Sequence, residues 1–84
     1  MKNEIRAVLQ DHARLAEPVE ALTDDTDLYS VGMTSFASVN VLLALESRLG
    51  IEFPDHMLRR SVFQTIASIH AAAAELLAEA QVAP

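Results

Sequence analysis

Residues 27–49 read Asp27-Leu28-Tyr29-Ser30-Val31-Gly32-Met33-Thr34-Ser35-Phe36-Ala37-Ser38-Val39-Asn40-Val41-Leu42-Leu43-Ala44-Leu45-Glu46-Ser47-Arg48-Leu49. A polar stretch ends in a glycine, a Thr-Ser pair follows, and a long apolar-periodic run comes after it. Thr and Ser in that place mark a helix start, because their hydroxyls accept bonds from the unpaired amides of the first turn. Gly32 permits a tight, left-handed turn just before it. The stretch predicts a helix over 35–49 with the Ser35 hydroxyl presented at its N-terminal tip.

That helix is more apolar than one core stripe requires. Val41, Leu42, Leu45 and Leu49 share one face at i, i+3, i+4 and i+7 spacing. Phe36, Val39 and Leu43 form a second stripe on an adjacent face. A small domain cannot readily bury both. The second stripe is therefore expected to be partly exposed, and an exposed apolar patch beside a presented serine reads as a docking surface.

Working upstream, residues 17–34 form a long connection, which in a compact domain is uncommon and usually functional. Val19 and Leu22 should tuck beneath it, and Leu28, Tyr29, Val31 and Met33 should bring it back to the core. Asp24, Asp25 and Asp27 lack the glycine and distal glutamate of a calcium loop and read as turn formers. Before them, Lys2 to about Ala16 reads as a helix that Pro18 stops, with Ile5, Val8, Leu9, His12 and Ala16 on one face.

Downstream, Gly50 is placed to end the helix as a C-cap. Ile51, Phe53 and Pro54 make an extended apolar linker, and Asp55 can cap a short helix over 55–60. Ser61 and Gln64 have capping-box spacing for a last helix over 62–79, rich in alanine and packed through Val62, Ile66, Ile69, Ala73 and Leu76 or Leu77. The tail Val82-Ala83-Pro84 is expected to fray. The fold class is all-α: a four-helix bundle of three main helices and one short one, in a single domain of 84 residues.

With no cysteine, packing alone must hold the bundle. The lack of cysteine fits a reducing, cytoplasmic setting. No signal-peptide pattern opens the chain, and no apolar run is long enough to span a bilayer. Twelve carboxylates face six Lys and Arg, a net charge of −6, which disfavours nucleic acid as a partner. A monomer is expected.

Asp27-Leu28 followed by Gly32-x-x-Ser35 and an apolar helix ending in Ala44-Leu45-Glu46 resembles the acyl carrier proteins. Leu49-Gly50-Ile51-Glu52-Phe53-Pro54-Asp55 resembles that family's next loop. The likeness runs from about Ile5 to Ala73. It implies a 4'-phosphopantetheine arm, taken from coenzyme A, on the serine that matches the family's modified one, Ser35. It also implies a phosphopantetheinyl transferase, an acyl- or aminoacyl-carrier-protein ligase and a downstream acyl-transfer enzyme as partners. Two departures stand out. Thr34 replaces the aspartate that the family usually has before the serine, and the helix over 35–49 holds only Glu46 and Arg48 as charged residues where the family's is acidic. The form Gly32-Met33-Thr34-Ser35 is similar to free-standing bacterial carriers charged with amino acids by ligases related to tRNA synthetases.

On the residues alone, Ser35 could simply cap a helix, as most Thr-Ser pairs at helix starts do. No catalytic constellation competes with the carrier reading, since His12, His56 and His70 are scattered and no metal set or Gly-rich phosphate loop is present. An amino acid is the first choice of cargo, with a fatty acyl or polyketide or peptide carrier as the alternative. A different class stays open, an unmodified helical module that binds through the second stripe. Met33, Thr34, Phe36, Val39, Leu43 and Arg59 are the candidate docking residues.

Overall fold

The apolar periodicity of the N-terminal segment folds as helix α1 (Lys2–His12), with Ile5, Val8 and Leu9 buried. A computed structural model describes residues 1–82; Ala83 and Pro84, part of the tail expected to fray, lie outside the described residues. α1 stops short of the expected Ala16. Arg14 turns left-handed at φ 55°, and the Ala16 amide leaves the helical path to donate to the Val31 carbonyl at 2.8 Å. That bond ties the two ends of the long connection together. In consequence His12 and Ala16, both expected on the core face, are exposed.

The connection itself is pinned rather than loose. The Arg6 guanidinium donates to the carbonyls of Val19 and Leu22 and to Asp24 Oδ1, at 2.9, 3.3 and 3.0 Å. Lys2 Nζ reaches Asp24 Oδ2 at 2.8 Å. Asp27 makes an Asx turn, accepting the Tyr29 amide at 3.0 Å. Val19, Leu22, Leu28 and Met33 then sink into the core.

Helix α2 (Ser35–Leu49) ends at Gly50, which adopts φ 66° and donates its amide to the Glu46 carbonyl. The Ile51 amide also bonds that carbonyl, at 3.2 Å, so a glycine turn satisfies the helix end. Glu46 Oε2 accepts the Phe53 amide at 2.8 Å, which folds the linker back along α2. Val41 and Leu45 are fully buried, whereas Leu42, placed by periodicity on the same face, is half-buried.

After the linker the structure departs from the sequence reading. Asp55 caps no helix; Pro54 precedes a single 3-10 turn, Asp55–Met57. The short helix is α3 (Arg60–Phe63), not 55–60. Ser61 and Gln64 form no capping box, because the chain breaks at Gln64 and Thr65 and α4 (Ile66–Val82) begins anew. Thr65 and Ser68 form the reciprocal cap instead. The Ser68 amide donates to Thr65 Oγ1 at 3.0 Å and the Thr65 amide donates to Ser68 Oγ at 3.1 Å. The break frees the Gln64 carbonyl to accept the Leu28 amide at 2.8 Å. Phe63 packs edge-on to Phe53, ring centres 5.4 Å apart.

The outcome is an all-α bundle in which α1, α2 and α4 pack around Ile5, Leu9, Leu28, Leu45, Ile66 and Ile69, with α3 packed against α4. No strand occurs among the described residues. No helix is long and apolar enough to cross a membrane among them.

Candidate functional site

Gly32 sets up the start of α2. Its φ of 116° lies outside the range that side chains readily adopt, and a Cβ there would sit 3.1 Å from the Ala16 backbone nitrogen. The chain then buries Met33 and turns into the helix at Thr34, whose Oγ1 accepts the Ala37 amide at 3.0 Å. Thr34 is thus the N-cap. Ser35 is the first helical residue, exposed, and its Oγ makes no hydrogen bond among the described residues. Ser38, one turn on, donates its hydroxyl to the Ser35 carbonyl at 2.6 Å. The capping duty and the presented hydroxyl fall on different residues.

Ser35 opens onto a groove of about 340 Å³ between α2 and the segment from Leu58 to Phe63. Val39, Leu42, Leu58 and Phe63 give it apolar walls; Tyr29, Ser38, Arg59 and Arg60 complete the lining. Among the described residues no carboxylate lines it. The Arg60 guanidinium lies over the Tyr29 ring, 3.9 Å from its centre, a cation–π contact. Neither Arg59 nor Arg60 forms an ion pair among the described residues.

The candidate docking residues separate. Phe36, Val39 and Leu43 are 81%, 54% and 55% exposed and run along α2 beside the groove. Arg59 stands on the groove's opposite side, exposed. Met33 does not share this surface: at 2% exposure it belongs to the core, held there by the Leu28 carbonyl, which takes its amide at 3.0 Å. Leu58, half exposed, joins the surface although periodicity did not mark it. The signal for it was faint, an apolar residue beside two arginines in a segment too short to show a period. Tyr29 and Arg60 were missed as groove residues for a similar reason, since their pairing spans thirty-one positions of sequence.

The family model for the phosphopantetheine attachment site matches residues 3–76. The chain belongs to this carrier-protein family. Its cofactor is phosphopantetheine. An aminoacyl carrier protein of Agrobacterium fabrum is 42% identical over 69 residues, which cover 82% of this chain and 83% of that protein. Among solved structures, a chain from a complex of an engineered Bradyrhizobium japonicum glycine:[carrier protein] ligase with a carrier protein from Agrobacterium tumefaciens and AMP matches with a TM-score of 0.86. The identity is 39%, over 88% of this chain and 99% of that one. A solution structure of an Agrobacterium tumefaciens protein matches at a TM-score of 0.78 and 37% identity, over 99% of this chain and all of that one. For this carrier fold the residues fit the cofactor: a serine hydroxyl at a helix start, unbonded among the described residues, where free amides favour an anionic phosphodiester, beside two cations without carboxylate partners among those residues.

Proposed function

We propose that the protein carries an amino acid as a thioester on a phosphopantetheine arm attached to Ser35. The observation that carries the assignment is the position of Ser35, exposed and unbonded at the start of α2, in a chain of the phosphopantetheine family. When bound, the arm supplies the thiol that the chain lacks. The chain's own residues would hold and present it: Thr34 secures the helix start, the first-turn amides of α2 would favour the anionic phosphodiester, and the groove-side stripe would meet the partner enzyme.

The amino acid is favoured over a fatty acyl, polyketide or peptide cargo by likeness to an aminoacyl carrier protein and to a complex that contains a glycine:[carrier protein] ligase. A phosphopantetheinyl transferase installs the arm, a ligase related to tRNA synthetases charges it, and an acyl-transfer enzyme receives the cargo. The chain works as one monomeric, non-catalytic carrier domain in the cytoplasm, with neither nucleic acid nor membrane as a partner. Phe36, Val39, Leu43, Thr34 and Arg59 form the docking surface.

Intact mass after incubation with coenzyme A and a broad-specificity phosphopantetheinyl transferase tests attachment, and Ser35→Ala should abolish the gain. Modification at Ser30 or Ser38 instead would refute the site. Charging of the holo protein by an amino acid:[carrier protein] ligase with ATP and glycine tests the cargo. No mass gain at all would favour the unmodified interaction module.

A further inference from the structure

Arg59 and Arg60 line the same groove as Ser35 and are the charged groups in its lining. The chain as a whole is acidic, with twelve carboxylates to six Lys and Arg, yet among the described residues neither of these cations has an anionic partner. Lys2 and Arg6 are matched by Asp24. Among the described residues the arginine side-chain hydrogen bonds all belong to Arg6, so the N–H donors of both groove guanidiniums are open to an incoming acceptor. Arg60 is also held in place. Its Cζ lies 3.9 Å from the centre of the Tyr29 ring, and the Asx turn fixes Tyr29 in turn, its amide donating to Asp27 Oδ1 at 3.0 Å. The ring anchors the guanidinium without supplying an acceptor oxygen. A phosphodiester is an anion with two free oxygens, and the planar fork of an arginine matches such a pair with two parallel N–H bonds.

We infer that Arg60, anchored on Tyr29, holds the phosphodiester of an arm on Ser35, with Arg59 as the second cation, and so fixes the root of that arm on the 58–63 side of the groove. This rests on the attachment of the arm to Ser35 and deepens that reading. Both arginines are positioning residues toward the cofactor and take no part in transferring the cargo. Both are exposed, so the pairing is screened by solvent and adds little to stability. Its effect is on direction: a root held in place reduces the orientational freedom that the arm must give up when a partner takes its far end.

The test compares the full chain before and after a phosphopantetheinyl transferase adds the arm from coenzyme A, with peptide mass spectra placing the modification on Ser35. The Nε–Hε NMR signals of Arg59 and Arg60 should shift on modification. They should move back toward their unmodified positions as salt rises from about 0.01 to 1 M, where the screening length falls from about 30 to 3 Å. The phosphorus NMR signal of the arm should change in Arg60→Gln and be partly restored in Arg60→Lys, which keeps the charge. Tyr29→Leu, which removes the ring, should move that signal in the same sense, whereas Tyr29→Phe should leave it native. A merely structural stack of Arg60 on Tyr29 would not respond to the arm. Arginine signals that stay in place on modification overturn the inference, as does a phosphorus signal identical in the native protein and Arg60→Gln; the pair would then be open to carboxylates of a partner enzyme. An arm on Ser35 with silent arginines removes this inference alone. If no arm can be placed on Ser35, the carrier assignment falls and this inference falls with it.

Discussion

Thr34 Oγ1 accepts the Ala37 amide at 3.0 Å, so the first turn of α2 is capped by the residue before Ser35. Ser35→Ala should therefore leave the thermal midpoint close to that of the native protein while removing all modification. Thr34→Ala should cost about 0.5–2 kcal/mol, as loss of an N-cap does. A chemical denaturation series on both variants checks the contrast. If Ser35→Ala is the more destabilising, Ser35 is a structural residue and its assignment needs revision.

Phe36 and Leu45 lie on the same helix, the first 81% exposed and the second fully buried. Leu45→Ala should cost about 2–5 kcal/mol of stability, as removal of a buried leucine does. Phe36→Ala should barely affect the fold and should weaken the contact with the charging ligase by about 1–3 kcal/mol, measured by calorimetry. Equal unfolding by the two substitutions would place the stripe in the core and remove it from recognition.

Helix α2, proposed above to face the partner, carries Glu46 and Arg48 as its charged residues, for no net charge. Electrostatic steering toward cationic enzymes is weakened accordingly. Transferases and synthases adapted to acidic carriers should load this protein poorly, and its affinity for the charging ligase should vary little between low and moderate salt. A steep fall in affinity with added salt would contradict this.

Asp24 accepts bonds from Lys2 and Arg6, and those bonds hold its carboxyl below the ordinary aspartate value. The sign follows directly. A carboxyl whose folded pKa is depressed contributes stability above its unfolded pKa and loses that contribution as pH falls through the folded one. Asp24→Asn should thus lower the thermal midpoint at neutral pH, and the gap from the native protein should begin to narrow below about pH 4, near the unfolded aspartate pKa, and close only once pH has fallen through the lower folded value. A gap that stays constant down to pH 3 would show that the clasp does not depend on charge.

Gly32 and Gly50 both have positive φ, yet they should respond unequally. An added Cβ at Gly50 meets open space and only the left-handed backbone penalty, so Gly50→Ala should cost about 1–2 kcal/mol. At Gly32 the φ of 116° is further from any well open to alanine, and the new Cβ presses on Ala16. Gly32→Ala should cost more than Gly50→Ala in the same urea titration, and the reverse order would show that the Ala16 approach yields easily.

Much of this was legible in one stretch. The apolar period of residues 35–49, the glycines that bracket it and the Thr-Ser pair carried the helix, its C-cap and the presented serine, because each is a local signal. Periodicity also marked Phe36, Val39 and Leu43 as surplus to one core face, and they are exposed. Non-local bonds hid the rest. The early end of α1 follows from the Ala16–Val31 bond, and the break before α4 from the competition between two adjacent capping pairs, 61/64 and 65/68, which local spacing alone does not decide. Asp24 looked like a solvated turn residue because its partners, Lys2 and Arg6, lie a helix away. The groove could not be read at all, being made where Tyr29 and Arg60 meet.

The exposed stripe from Phe36 to Leu43 spans eight residues of helix, about 10 Å from first to last at 1.5 Å per residue. A stable protein interface buries about 800 Å² on each partner, far more than such a strip offers. Any enzyme that seats itself there covers the approaches to Ser35 as well. On the proposed docking surface two enzymes could not share the carrier, so one that loads it would have to leave before one that unloads it could bind. Residence time then becomes the constraint on throughput: a complex that lingers blocks the next step however well it performs its own, and tighter binding at this surface would slow the relay.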